Sequence, residues 1–109
     1  MTEPARVPGA TGITVVQSAP NRYEVRGALA FGTARRALGA GLKAFAGASG
    51  PIEVDLSGVG TADSAGLAVL IEWLAWAHRN GREVRFSNVP QMLDAIARIC
   101  ELEGLLQGK

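Results

Sequence analysis

Asp63, Ser64 and His78 lie in the second half of the chain and are of types that could take part in acid–base or nucleophilic chemistry. Ser64 stands where a glycine-bearing loop gives way to a helical pattern over 64–80. An activated serine needs a base within hydrogen-bond reach, about 2.6–3.2 Å. His78, the single histidine, lies fourteen residues further along the same predicted helix, roughly 21 Å away at about 1.5 Å per residue. The two residues therefore cannot form a catalytic pair within one molecule.

The glycines around Ser64 do not match a phosphate-binding loop. The G-x-G-x-x-G spacing that starts at Gly58 and Gly60 would need glycine at 63, where Asp63 would repel a pyrophosphate, and no lysine follows as in G-x-x-x-x-G-K-[ST]. We therefore interpret these glycines as turn residues. One histidine, one cysteine and scattered carboxylates form no metal-binding pattern. The sequence predicts a protein that is not an enzyme, without catalytic residues, cofactor or metal site.

Asp63 is the predicted N-cap of the helix that begins at Ser64. Its carboxylate can accept hydrogen bonds from the N–H groups of Ala65 or Gly66, and it suits the positive end of the helix dipole. Ser64 then takes the first helical position with its hydroxyl outward. Two interpretations stay open: the pair only caps and solvates the helix, or Ser64 is a phosphorylation or switch site, since a phosphoserine there would meet N–H donors.

The predicted helix over 64–80 has two distinct faces. The face expected to contact the sheet consists of Leu67, Leu70, Ile71, Leu74 and Ala77, with Trp73 flanking it and Trp76 at its edge. A second stripe begins beside Ser64 and consists of Ala65, Ala68, Glu72, Ala75 and Arg79. A solvated helix face normally carries more charge. Either alanine is present as the best helix former, or the stripe and Ser64 form a flat partner interface.

Length and composition set the class of protein. The 109 residues, 48% hydrophobic and 19% charged, are enough for one domain with one core. A net charge of +1 without a basic run argues against nucleic-acid binding. The lone Cys100 favours a reducing compartment. Neither a signal peptide nor a run of about 20 apolar residues is visible, so we expect a cytoplasmic protein without direct membrane insertion.

The order of predicted elements indicates the fold class. Strands at 13–18 and 22–27 form a hairpin, and later strands lie at 52–56 and 83–87. Helices follow Thr33, a candidate N-cap, then Asp63 and Pro90. The order β-β-α-β-α-β-α predicts an α/β fold with a mixed, mostly parallel four-stranded sheet covered by helices. Residues 1–12 are a predicted flexible leader and 13–109 a single domain.

The inner faces of the first and third helices also follow from spacing. The first helix is expected to use Ala34, Leu38, Leu42 and Phe45, and to be weakened by Gly39 and Gly41. The third helix is expected to start with Pro90 at its first position and to use Met92 or Leu93, Ile96, Ile99 and Cys100. Leu105 and Leu106 are expected to fold back on the core.

Three stretches carry a resemblance to a known family. The segments "VDLSGVGTADSAGLAVL", "HRNGREVRFSNVP" and "MLDAIARICELEGLL" resemble STAS domains, the fold of anti-sigma-factor antagonists, over roughly residues 13–106. The resemblance implies the STAS fold. It also implies two functional branches, and Ser64 matches the phosphorylatable or interface hydroxyl position of both.

One branch is the small cytoplasmic STAS subunit of the Mla phospholipid transporter, which binds that transporter's ATPase. The other is the partner-switching antagonist, in which an anti-sigma factor kinase phosphorylates the serine of D-S-S-G. Ala65 departs from D-S-S-G and is similar to the D-[ST]-[AG]-G-L-A form of the Mla subunit, and "VRGALAFGTARRAL" is similar to its G-x-L-T-F-x-T pattern. Ala30 and Phe31 also stand where many antagonists carry an acidic residue.

The resemblance to the Mla subunit implies a non-enzymatic accessory protein without a cofactor. It would lie at the inner membrane through the transporter complex and support phospholipid movement between the inner and outer membranes. ATP would be bound by the partner ATPase. Self-association of the chain is a further possibility that the sequence leaves open.

Overall fold

Seven helices and strands follow one another within residues 12–100, the part of the chain described by this computed structural model. They are β1 (Ile13–Ala19), β2 (Arg22–Leu29), α1 (Ala34–Ala46), β3 (Ile52–Ala62), α2 (Ser64–Arg79), β4 (Val84–Ser87) and α3 (Gln91–Ile99). The predicted order β-β-α-β-α-β-α is confirmed. Apart from Gly12, the predicted leader lies outside the described residues, and so do Leu105 and Leu106.

The four strands form one sheet in the order β1-β2-β3-β4. β1 and β2 are an antiparallel hairpin whose turn contains Asn21 with φ of 64°, a conformation that asparagine adopts more readily than most residues. β3 runs parallel to both β2 and β4. The mixed, mostly parallel sheet is therefore confirmed, and the carboxyl ends of β2 and β3 meet at the start of α2.

β3 is longer than the sequence pattern indicated. It continues past residue 56 to Ala62, through the glycines that we interpreted as turn residues, so that interpretation is wrong. The pairing of β3 with β2 shifts register twice, and each shift adds one residue to β3. At the first shift Gly58 lies against β2, where an added Cβ would be 2.9 Å from the carbonyl oxygen of Val25. Gly58 therefore permits a close backbone approach within the sheet.

One face of the sheet packs against the helices and forms the core. Tyr23, Val54 and Phe86 lie side by side on this face of β2, β3 and β4. The indole of Trp73 from α2 is fully buried there and meets the Phe45 ring of α1 edge-on, with 5.3 Å between centroids. Aromatic pairs of this geometry add stability beyond the area that they bury.

The inner faces of the helices differ in part from those predicted. In α2, Trp73 is central rather than flanking and Val69 is buried as well, while Ile71 and Leu74 are half-buried. α1 uses Ala37, Gly41 and Phe45, and Ala34, Leu38 and Leu42 are only half-buried. Gly41 is required by packing, because an added Cβ would overlap the Trp73 indole.

The third helix also departs from the prediction. Pro90 precedes the helix as its N-cap, and α3 begins at Gln91. The buried residues of α3 are Leu93 and Ala97, with Ile96 half-buried. Of the alternatives Met92 and Leu93, Leu93 is the one that faces inward. The expectation that Ile99 and Cys100 face inward is wrong, since both are exposed. Thr33 precedes α1, but its hydroxyl makes no capping bond and instead donates to the carbonyl oxygen of Ala28 at 2.6 Å.

The other face of the sheet is polar and carries paired charges. Arg22, Glu53 and Arg85 lie side by side across β2, β3 and β4, and Arg22 forms ion pairs with both Glu53 and the buried Asp55. The Asp55 carboxylate also accepts hydrogen bonds from the Asn88 amide at 3.0 Å and the Ser57 N–H at 2.9 Å. The Asn88 hydrogen bond, the Ser57 N–H and the Arg22 charge lower the pKa of Asp55 despite its burial.

This lowered pKa predicts a pH dependence of stability. Because the folded state holds Asp55 ionised more strongly than the unfolded state does, its contribution is present above the unfolded pKa, near 3.8, and is lost as the pH falls through the folded pKa. Between pH 5 and pH 2 the free energy of unfolding should change less in the Asp55→Asn variant than in the wild type, as read from urea titrations at each pH. Glu83→Gln, at an exposed pair with Arg85, is the control and should keep the wild-type slope. Parallel curves for wild type and Asp55→Asn would contradict the assignment.

Candidate protein-binding surface

Asp63 connects the end of β3 to the beginning of α2. Its backbone is extended, with φ of −142° and ψ of −168°, and its Oδ1 accepts hydrogen bonds from the N–H groups of Ala65 at 2.9 Å and Gly66 at 3.1 Å. Two N–H groups that have no partner within the helix are thereby satisfied. Ser64 is the first residue of α2 and is exposed.

The second carboxylate oxygen of Asp63 holds a neighbouring loop. Oδ2 accepts a hydrogen bond from the N–H of Phe31 at 3.1 Å, and the Asp63 N–H donates to the carbonyl oxygen of Leu29 at 3.3 Å. The loop between β2 and α1 is thus fixed to the start of α2. Sequence reasoning missed this contact because Phe31 lies 32 residues earlier, and only the pairing of Leu29 with Ala62 brings it near.

Gly66 explains why α2 can begin so close to the sheet. A Cβ at this position would overlap the carbonyl oxygen of Leu29, so only glycine allows the first turn of the helix to rest on the end of β2. The glycine of the D-S-A-G-L stretch therefore serves packing between a helix and a strand.

The structure brings the predicted interface stripe to the accessible side of α2. Ser64, Ala68, Glu72 and Arg79 are exposed, and Ala65 and Ala75 are half-buried. None of the six belongs to the core cluster. Four of the six residues of the stripe are therefore accessible to a partner, and the other two are partly accessible.

A groove of about 670 Å³ lies beside the first half of this stripe, between α1 and α2. Most of its lining side chains are apolar or small, and Arg35 and Glu72 are its charged members. The residues that line it are Phe31, Gly32, Ala34, Arg35, Leu38, Ala65, Ala68, Val69 and Glu72. Ala75 and Arg79 lie beyond it, toward the end of α2. The α1 side of the groove was missed because the sequence pattern does not show which helices are neighbours.

Phe31 is the most exposed large apolar side chain among residues 12–100, with 85% of its surface accessible. It stands at the mouth of the groove, next to the start of α2. The sequence held a signal for it, since an aromatic residue between Ala30 and Gly32 belongs to no amphipathic pattern. Exposed aromatic residues beside a groove are typical of protein–protein contact sites.

Other chemically reactive groups lie apart from Ser64. His78 is exposed near the far end of α2, fourteen residues from Ser64. Within residues 12–100, no group of three His, Cys, Asp or Glu side chains could hold a metal ion. None of the helices in the same range has the length and apolar character needed to cross a membrane.

The cap geometry gives a prediction for two variants. Asp63→Ala should lower the free energy of unfolding by about 0.5–2 kcal/mol, because α2 loses its N-cap, and more if the Phe31 loop loosens as well. Ser64→Ala should change it by less than about 0.5 kcal/mol, since exposed substitutions away from such features have small effects. Urea titration of both variants is the measurement. A larger loss for Ser64→Ala than for Asp63→Ala would mean that the serine carries the cap.

These features define the class of protein. It is a mixed-sheet α/β domain with an accessible groove at the start of its second helix. A family model described as "Mlab, STAS domain" matches residues 15–107. The chain therefore belongs to the STAS domain family, as its sequence motifs indicated.

Solved structures place this fold in transporter proteins. A sulfate transporter family protein from Wolinella succinogenes matches with a TM-score of 0.62 and 22% identity, over 85% of this chain and 75% of that one. The murine Solute Carrier 26 family member A9 anion transporter, in its inward-facing state, matches with a TM-score of 0.59 and 16% identity, over 85% of this chain but 18% of that chain. At these identities the likeness shows the fold alone. Comparison with curated protein sequences finds no match.

Proposed function

We propose that this chain is a non-enzymatic accessory subunit that binds the ATPase of an Mla-type ABC transporter and supports phospholipid transport between the inner and outer membranes. The observation that carries the proposal is the match of the Mlab-type STAS model to residues 15–107, nearly the whole chain. In this role the protein is cytoplasmic and reaches the inner membrane through the transporter complex. ATP is bound by the partner and not by this chain.

The accessible side of α2 supports this proposal with a place for the partner to dock. Ser64, Ala68 and Glu72 are exposed on a stripe of mostly small side chains, which allows close approach of another backbone. The groove beside it supplies apolar surface that becomes dry on binding, the main favourable term in association. Asp63 fixes both sides of this surface before the partner arrives, which limits the entropy lost on docking.

An anti-sigma-factor antagonist is the second candidate function, and the exposure of Ser64 at the first position of α2 is the observation that favours it. A kinase can reach this hydroxyl, and a phosphate there would lie at the positive end of the helix dipole. However, Asp63 Oδ1 already accepts from Ala65 and Gly66, so a phosphate would share its donors with a carboxylate. This repulsion, together with the Mlab-type match, favours the transporter role.

Co-expression with the two classes of partner tests the proposal. The tagged chain should retain the transporter ATPase through size-exclusion chromatography, and transporter vesicles should hydrolyse ATP faster when the chain is present. Retention of an anti-sigma factor kinase instead, with phosphate transferred to Ser64 and lost in Ser64→Ala, would overturn the proposal in favour of the second candidate.

ATP turnover by the isolated chain tests the non-enzymatic part of the proposal. We expect none above background, since neither a base for Ser64 nor a phosphate-binding loop is present in the sequence. Turnover that disappears in Ser64→Ala would contradict it. The purified transporter ATPase, assayed under the same conditions, is the positive control.

A further inference from the structure

We propose that the groove between α1 and α2 binds two turns of an acidic amphipathic helix, with Phe31 as the anchoring side chain. This inference rests on the proposed function, because the helix would belong to the transporter ATPase. It goes further by assigning the chemistry of the segment that docks and by moving the centre of the contact from the α2 stripe to the side of α1.

The walls of the groove favour a helix over an extended segment. Both walls are helices, α1 and α2, whose backbone groups are bonded within the helices themselves. An extended segment would therefore find no backbone partners there, whereas a helix satisfies its own. The α2 wall spans Ala65 to Glu72, about 10 Å at 1.5 Å per residue, which matches two helical turns. Apolar residues spaced at i, i+3 or i+4, and i+7 would fill it.

Phe31 has the features of an anchor for such a helix. Its ring is 85% exposed, so docking removes a large apolar surface from water. Its backbone N–H donates to Asp63 Oδ2, so the position of the Phe31 backbone is set before binding. Aromatic side chains that become buried at the centre of a contact commonly dominate its free energy.

The charges of α1 determine the charge of the occupant. α1 contains no acidic residue, and its exposed Arg35 lines the groove. Glu72 on the opposite wall is the single acidic residue that lines the groove. A helix with acidic residues along its α1 side would complement this arrangement.

Affinity measurements with the purified ATPase test the inference. Calorimetric titrations use the wild-type chain and the variants Phe31→Ala and Arg35→Glu at low and high salt. Arg85→Glu is the matched control, since it makes the same change of charge at an exposed residue on the opposite face of the sheet. Far-UV circular dichroism and thermal melts of each variant show that the domain is folded.

We expect Phe31→Ala to weaken binding by about thirtyfold, equivalent to about 2 kcal/mol, and Arg35→Glu to weaken it by about tenfold or more. Arg85→Glu should bind like the wild type. Higher salt should weaken wild-type binding, and Arg35→Glu should be less sensitive to salt. A lysine substitution at one acidic residue of the docked helix should restore binding to the Arg35→Glu variant. The residue at which it does so is the one that pairs with Arg35 in the wild-type complex.

Two other results separate failure of this inference from failure of the proposed function. If the wild type binds the ATPase and Phe31→Ala and Arg35→Glu bind equally well, the groove is not the docking site, although the accessory role stands. If the folded wild type does not bind the ATPase at all, both proposals are wrong. Self-association of the wild type that is lost in Phe31→Ala would make a second copy the occupant and would also overturn the inference.

Discussion

Ala68→Arg is expected to weaken binding to the transporter ATPase by a hundredfold or more while the domain stays folded. Ala68 is exposed in the second turn of α2 and lines the groove. Arginine is a good helix former, so the free domain should accommodate it. In the complex the same side chain adds bulk and a charge that loses its water, which costs several kcal/mol unless a partner group meets it. At about 1.4 kcal/mol per tenfold, a loss of about 3 kcal/mol accounts for the hundredfold effect.

Ala95→Arg is the matched control, because Ala95 is exposed in the interior of α3 and away from the groove. Both variants are compared with the wild type by retention of the ATPase on the tagged chain and by thermal melting. We expect Ala95→Arg to bind normally. If Ala68→Arg melts normally and still binds like the wild type, the alanines of α2 serve helix formation only.

Trp73→Ala is expected to lower the free energy of unfolding by about 3–5 kcal/mol, the range for removing a large aromatic side chain from a core. The Trp73 ring is fully buried, meets Phe45, and donates its Nε1–H to the carbonyl oxygen of Leu38 at 3.3 Å. Its removal leaves a cavity against Gly41, whose lack of a side chain prevents α1 from filling the space. Since small domains are commonly stable by about 5–15 kcal/mol, this loss is a large fraction of the total.

Trp76→Ala provides the comparison within the same helix. Trp76 is half-buried, and Arg82 lies over its ring at 5.8 Å from the centroid. We expect Trp76→Ala to lower the free energy of unfolding by less than half as much as Trp73→Ala, because a smaller apolar surface is returned to water. Urea titrations of both variants give the two free energies. Equal losses would show that the core is centred nearer to Trp76 than the packing of α1 and α2 indicates.

The sequence was sufficient for features that depend on neighbouring residues. The helix that begins at Ser64 and ends before Gly81 follows from 3.6-residue spacing, a capping aspartate and a terminal glycine, and Gly81 does adopt φ of 63°. The hairpin at Asn21 follows from alternation and turn residues. The hydrogen bonds of Asp63 to Ala65 and Gly66 also depend on chain neighbours only, which is why they could be anticipated.

Features that depend on distant residues were missed. The sequence pattern predicts a loop after Leu56, because the inward residues of this part of β3, Leu56, Val59 and Ala62, are three apart instead of two. Bulges create this spacing, and no two-residue period can reveal them. Gly41 was judged by its helix propensity alone, since nothing local shows that Trp73 lies against it.

The two bulges of β3 make the length of this segment as important as its composition. Each bulge accommodates one additional residue between Asp55 and Thr61 relative to β2. Insertion of one further residue here, for example after Gly60, would reverse which side chains face inward from that point on. Ala62 would turn outward, and Asp63 would no longer meet Phe31. We therefore expect point substitutions at Gly60, where an added Cβ meets no atom within 4 Å, to be accepted far more readily than an insertion between Leu56 and Asp63.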